Sequence, residues 1–168
     1  YDELDILDRA IWYFTEAGKM DPENDRVNGY LGSVYTRLME HGQSRECGEL
    51  AIKYTTLQIE RKGDNPFEYM DRCRVYLDMN RYDEALADAD SALKIDKNNC
   101  FALSFKAKAY LGKKQYQKAL YFIKKAIAAM KSPNEILEFY QTAGDCCRYM
   151  RDFKQAEEFY RKGLKYAM

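Results

Sequence analysis

The chain repeats itself every 34 residues, and this period restricts its fold more than any other feature. Tyr82 and Tyr116 are 34 apart, as are Ala85 and Ala119, Leu86 and Leu120, Ala92 and Ala126, and, upstream, Tyr76 and Tyr110. A fixed period of this length marks a row of small supersecondary units, none of which can bury its apolar face alone. Within each unit an apolar stripe at helical spacing is interrupted and then resumes. The interruptions fall at MNRY (79–82) and GKKQY (112–116), which read as turns between paired helices. The pattern predicts an all-α chain.

The residues at fixed places in the period resemble the tetratricopeptide repeat, whose signature runs W-x2-L-G-x2-Y and then A-x3-F-x2-A-x4-P. Ala10, Phe14, Ala17 and Pro22 match the second half of that signature at every spacing. Leu31, Gly32 and Tyr35 match the L-G-x2-Y block. The unit from Pro66 carries Tyr69 in the Trp slot, then Tyr76, Ala85, Ala89 and Ala92. The unit from Cys100 carries Leu103, Ala107, Tyr110, Ala119, Ile123 and Ala126, and the last has Tyr140, Gly144, Ala156, Tyr160 and Gly163. The resemblance implies a right-handed α-solenoid of stacked helix-turn-helix units with about nine helices. It divides the chain into a half-repeat (1–24), a long repeat (25–65) and three further repeats (66–99, 100–136, 137–168). Small residues at Gly32, Cys73, Ala107 and Gly144 are expected to let paired helices approach closely, as are Ala85, Ala119 and Ala156 on the second helices.

Two departures stand out. The unit from Asp25 to Asn65 has 41 residues, with its extra length around MEHGQSREC (39–47), and Cys47 or Gly48 is expected in place of the second-helix Ala. Three extra residues near Ser132-Pro133-Asn134 lengthen a later junction. Residues 1–24 read as a second helix without its partner, so the chain is expected to be a fragment of a longer protein.

Composition narrows the function. At 168 residues, 46% hydrophobic and 32% charged, the chain has material for a packed core and no apolar run long enough to span a membrane. The five cysteines (Cys47, Cys73, Cys100, Cys146, Cys147) form no CxxC, and no Cys/His spacing suits zinc. Unpaired thiols favour a reducing compartment, and the expected localisation is cytoplasmic. The vicinal Cys146-Cys147 reads as two small residues on a packed helix. His41, the only histidine, falls in a Gly-containing loop (HGQS). Carboxylate pairs such as Glu157-Glu158 and Asp88/Asp90 read as solvated helix faces. No phosphate loop or nucleophile motif is present, so no enzyme active site, metal or cofactor is expected.

In the tetratricopeptide family the first helix of each unit lines a concave groove. Carried over residue by residue, that resemblance gives Arg37, Phe67, Met70, Arg74, Leu77, Phe101, Ser104, Lys108, Leu111, Gln141, Asp145 and Arg148 as groove residues. Exposed apolar groups there mark a binding surface, and the bordering cations suit a peptide with hydrophobic anchors and acidic flanks. The clamp by which some relatives hold a chaperone's C-terminal carboxylate is not matched in either register: the slots hold Gly29, Ser33, Asp71, Phe101 and Phe105, or Met70, Arg74, Phe105, Glu138 and Thr142. Charge is polarised along the chain. Residues 1–25 hold eight acids, whereas 97–134 hold nine Lys and no acid, among them the candidate basic patch Lys113, Lys114, Lys118, Lys124 and Lys125. A stretch all Lys and no Arg argues against nucleic acid. The expected function is a non-catalytic protein-interaction scaffold. The alternatives are a chaperone-type module shielding a client segment, a self-assembly unit with charged ends, and a regulatory module of an enzyme outside these residues.

Overall fold

In the computed structural model, residues 3–22, 24–41, 45–130 and 136–166 are described, and all nine elements among them are α-helices. They are α1 (Glu3–Met20), α2 (Asp25–Glu40), α3 (Arg45–Lys62), α4 (Pro66–Asp78), α5 (Tyr82–Ile95), α6 (Cys100–Gly112), α7 (Tyr116–Ala129), α8 (Ile136–Tyr149) and α9 (Phe153–Leu164). The junction around Ser132-Pro133-Asn134 lies outside the described residues. Each helix packs on its neighbours in sequence, and α6 also touches α4 and α8, so these three first helices form one wall of the solenoid.

Local chemistry sets the helix ends. Asn24, Asn65 and Asn99 cap α2, α4 and α6, their side-chain oxygens accepting from Arg26, Phe67 and Ala102 N–H at 3.1 Å each. Pro66 occupies the first turn of α4, where its missing N–H costs nothing. The turn within each later pair passes through a left-handed residue, Asn80, Lys114 or Arg151, at φ 58°, 59° and 62°.

The core is a ladder of small side chains with aromatic fillers. Ala51, Ala85, Ala89, Ala92, Ala107, Ala119 and Ala126 are completely buried. Gly144 faces the Tyr160 ring so closely that an added Cβ would sit 2.4 Å from its Cε1. At the matching place of the first unit, a Cβ on Gly32 would lie 2.9 Å from Thr55 Cγ2 and 3.8 Å from the Ala51 carbonyl oxygen. The second-helix Ala of the long unit is therefore Ala51, and not Cys47 or Gly48. Cys47 packs with Leu7, Val34 and Leu38. Gly48 instead faces two sulfurs, Met79 Sδ 2.7 Å and Met39 Sδ 2.9 Å from an added Cβ. The seven-residue surplus over the period falls between Gly32 and Thr55. It is absorbed mainly as about one added turn on each helix: α2 and α3 have 16 and 18 residues against 13 and 14 in α4 and α5. Sequence spacing misses Ala51 because it holds the register fixed across that insertion.

Asp88 also departs from expectation. It is buried at 4% exposure, not on a solvated face. Arg72 donates to both its oxygens, Nε to Oδ2 at 2.8 Å and Nη2 to Oδ1 at 2.6 Å. Arg72 Nη1 donates to Thr56 Oγ1 at 2.9 Å, so three helices meet at one guanidinium. Asp90 lies outside this network and pairs with Lys106. Glu157 pairs with Arg161 at 2.8 Å on the exposed face of α9.

Removing one partner of a buried pair strands the other charge. Asp88→Ala is expected to cost about 3–5 kcal/mol, and Arg72→Met/Asp88→Leu much less, by urea denaturation. Gly144→Ala should lower stability by about 1–2 kcal/mol even though Ala is the better helix former, because the overlap with Tyr160 outweighs propensity. A higher urea midpoint for Gly144→Ala would show that the ring yields freely.

Candidate functional site

The residues expected to line one groove separate into three environments. Met70 is only 5% exposed, packed with Ala92 and Ala102 and against Phe101 and Phe105. Two alanines leave a gap that a flexible thioether fills, so Met70 is a core residue. Ser104, one period later, is 1% exposed, too short to reach past its neighbours. Phe101 is half-buried and meets the Phe139 ring edge-on at 6.2 Å. These three positions are corrected from open groove residues to wholly or partly packed ones.

Leu77, Lys108, Leu111 and Asp145 do share one concave cavity of about 490 Å³, with Asp78, Tyr82, Gly112, Lys114, Tyr116 and Tyr149. Gly112 makes the cavity wall possible. A Cβ there would lie 2.3 Å from the Tyr82 ring, so the missing side chain admits the aromatic from the preceding pair. Tyr116 and Tyr149 stack at 5.2 Å and close the other side. Tyr82 and Tyr116 were visible in the sequence as period markers, but nothing in spacing marks them as a cavity wall.

Several charges of this face pair with one another. Arg74 Nη1 lies 3.3 Å from Glu40 Oε1, and Lys108 Nζ pairs with Glu138. Asp145 Oδ1 accepts from Tyr160 O–H at 2.8 Å and from Arg148 Nη2 at 3.3 Å. Arg148 also lies over the Tyr149 ring at 4.4 Å. Burial raises the Asp78 carboxyl, and Glu40 raises it further, against the lowering pull of Arg74 and Lys108. Asp71 is raised chiefly by the protein around it, against the lowering pull of Arg74, although its side chain still meets water. Arg37 and Gln141 are exposed.

Phe67 and Phe101 belong to a different cleft, of about 710 Å³, beside the α5–α6 turn and the end of α7. Sequence reasoning missed it, because it is assembled across two consecutive helix pairs, from α4, the α5–α6 turn, α6 and the end of α7.

The basic patch is not one surface. Lys113 pairs with Asp83, and Lys114 lines the concave cavity. Lys118 lies over Tyr110 at 5.4 Å, Lys124 over Phe159 at 5.6 Å and Lys125 over Tyr121 at 4.7 Å. A turn and a helix spread a linear run over several faces. His41 caps α2, with Nε2 3.3 Å from Glu3 Oε1. Cys73, Cys146 and Cys147 are buried. Burial is the largest cause raising their thiols, that of Cys146 to about 12, which keeps them protonated and unreactive at neutral pH. Among the described residues no group of His, Cys, Asp and Glu is arranged to hold a metal ion, and no helix is long and apolar enough to cross a membrane.

Comparison with known proteins agrees with this geometry. The tetratricopeptide repeat profile matches residues 69–99 and 137–167. A DnaJ homolog subfamily C member 7 homolog of Schizosaccharomyces pombe is 27% identical over 128 residues, 71% of this chain, and the chain spans only 27% of that relative's length. The crystal structure of MamA superposes with a TM-score of 0.78 at 19% identity, over 96% of this chain and 88% of MamA. The TPR2B domain of yeast Sti1, solved in complex with pHsp70, superposes at 0.66 and 21% identity, over 74% of this chain and 96% of that one. Residues 69–99 and 137–167 thus match the tetratricopeptide repeat in sequence, and with the same helix-pair packing running from α2 to α9 the chain has the fold of a tetratricopeptide-repeat solenoid.

Proposed function

We propose that the chain is a non-catalytic interaction scaffold whose concave cavity holds an extended or helical segment of a partner protein. The observation that carries this reading is the cavity of about 490 Å³ on the wall of α4, α6 and α8, floored by Leu77 and Leu111 and edged by Tyr82, Tyr116 and Tyr149. Aromatic and aliphatic groups in a concave site supply most of the affinity in peptide recognition, while charges select and orient the partner. Arg74 and Lys108 are already paired with Glu40 and Glu138, so an acidic flank of the ligand would meet Lys114 first. The yeast Sti1 TPR2B domain, solved as a complex with pHsp70, has the same fold, which supports reading this wall as a binding surface. The likeness does not extend to the carboxylate clamp, whose slots here hold Gly29, Ser33, Asp71, Phe101 and Phe105.

Peptides selected on this chain from a random displayed library are expected to share an aliphatic or aromatic anchor. Their affinity should fall about tenfold or more on Leu111→Ala and on Tyr149→Ala, read by fluorescence anisotropy, with thermal unfolding monitored in parallel. Peptides that bind both variants as tightly as the parent would sink the concave-site reading.

A further inference from the structure

The cleft beside the α5–α6 turn shares no lining residue with the cavity of Leu77 and Leu111. Its wall holds Phe67, 60% exposed, with the half-buried Phe101 and Met130 and the buried Leu103. At about 710 Å³ it falls in the size range of ligand-binding clefts.

Its charge is lopsided. Lys97 and Lys125 stand on its rim, and Asp96 is its one acid among the described lining residues. The Asp96 carboxylate is already engaged within the turn, accepting from Asn98 N–H at 3.2 Å and from Asn99 Nδ2 at 3.2 Å. From residue 97 to 130 the described chain contains no acid, so this stretch of the cleft's lining brings no carboxylate to neutralise the lysines. The first turn of α6, which opens beside the cleft, carries no acid either, and a helix N-terminus adds a partial positive charge.

The geometry points to an acidic peptide segment as the occupant, with one bulky apolar side chain seated between Phe67 and Phe101 and carboxylates facing Lys97 and Lys125. Apolar contact supplies affinity here, and the lysines choose the sign of the flanks. This site does not rest on the concave-site reading.

The test uses three synthetic peptides, N-acetylated and C-amidated: Glu-Glu-Phe-Glu-Glu, Lys-Lys-Phe-Lys-Lys and Glu-Glu-Gly-Glu-Glu. Binding is followed by amide chemical shifts of the isotope-labelled chain at low and high salt. The first peptide is expected to shift amides of residues 97–103 and 128–130 and to weaken as salt rises. The lysine and glycine peptides should each bind at least about tenfold more weakly. Phe67→Ala alone, and Lys97→Glu/Lys125→Glu together, should lower the affinity about tenfold, whereas Leu111→Ala leaves it unchanged. Absence of shifts at these amides, equal binding of the lysine peptide, or indifference to both cleft variants would overturn the proposal. Shifts that move to the concave face and vanish on Leu111→Ala would assign the peptide there and also overturn it.

Discussion

The close approach of paired helices through small residues holds the rest of the structure in place. Ala85, Ala92, Ala119 and Ala126 are completely buried, and Gly32 and Gly144 leave no room for another carbon. Because the backbones come so near, the aromatic side chains are forced into the seams between pairs. Phe139 and Ile123 fill one seam, and Tyr82 lies against Gly112 in another. Close packing of this kind has few alternatives, since a methyl group in the wrong place costs more than its helix propensity returns. The wall formed by α4, α6 and α8 inherits its regularity from this spacing.

Arg72 and Asp88 act on the same scaffold by another means. Hydrophobic contact is non-directional, whereas hydrogen bonds fix particular atoms against one another. A guanidinium that donates to Asp88 on α5 and Thr56 on α3 fixes both neighbours of α4 at once. This matters at the junction where a unit lengthened by seven residues meets one of ordinary length. The lengthened ends of α2 and α3 reach both sides: Leu38 and Cys47 pack in the cluster around Leu7, while Gly48 faces Met79 and Glu40 pairs with Arg74.

The two clefts show how one fold offers different chemistry on different faces. On the wall of α4, α6 and α8, Arg74, Lys108 and Arg148 each pair with an acid, and the apolar cavity lies among these pairs. At the α5–α6 turn the only acid of the cleft's described lining is held by Asn98 and Asn99, and two lysines remain beside exposed aromatic surface. The net charge of zero for the whole chain conceals both arrangements.

The sequence by itself determined the helix pairs, their order and their small-residue contacts. These follow from a 34-residue period and from local rules of capping and helical spacing that act within one unit. It also marked Leu77, Lys108, Leu111 and Asp145, which do line one cavity. Only the tertiary structure decided that Met70 and Ser104 are packed inside, that Asp88 is buried on Arg72, and that Ala51 fills the slot assigned to Cys47 or Gly48. Each of these depends on what the neighbouring pair presents. Met70 is covered because Ala92 and Ala102 leave a gap beside it, and Phe67 gains a cleft because α7 ends across from it. Periodicity states which face a residue occupies, but the volume and charge of the opposing face belong to another unit, and stacking sets them.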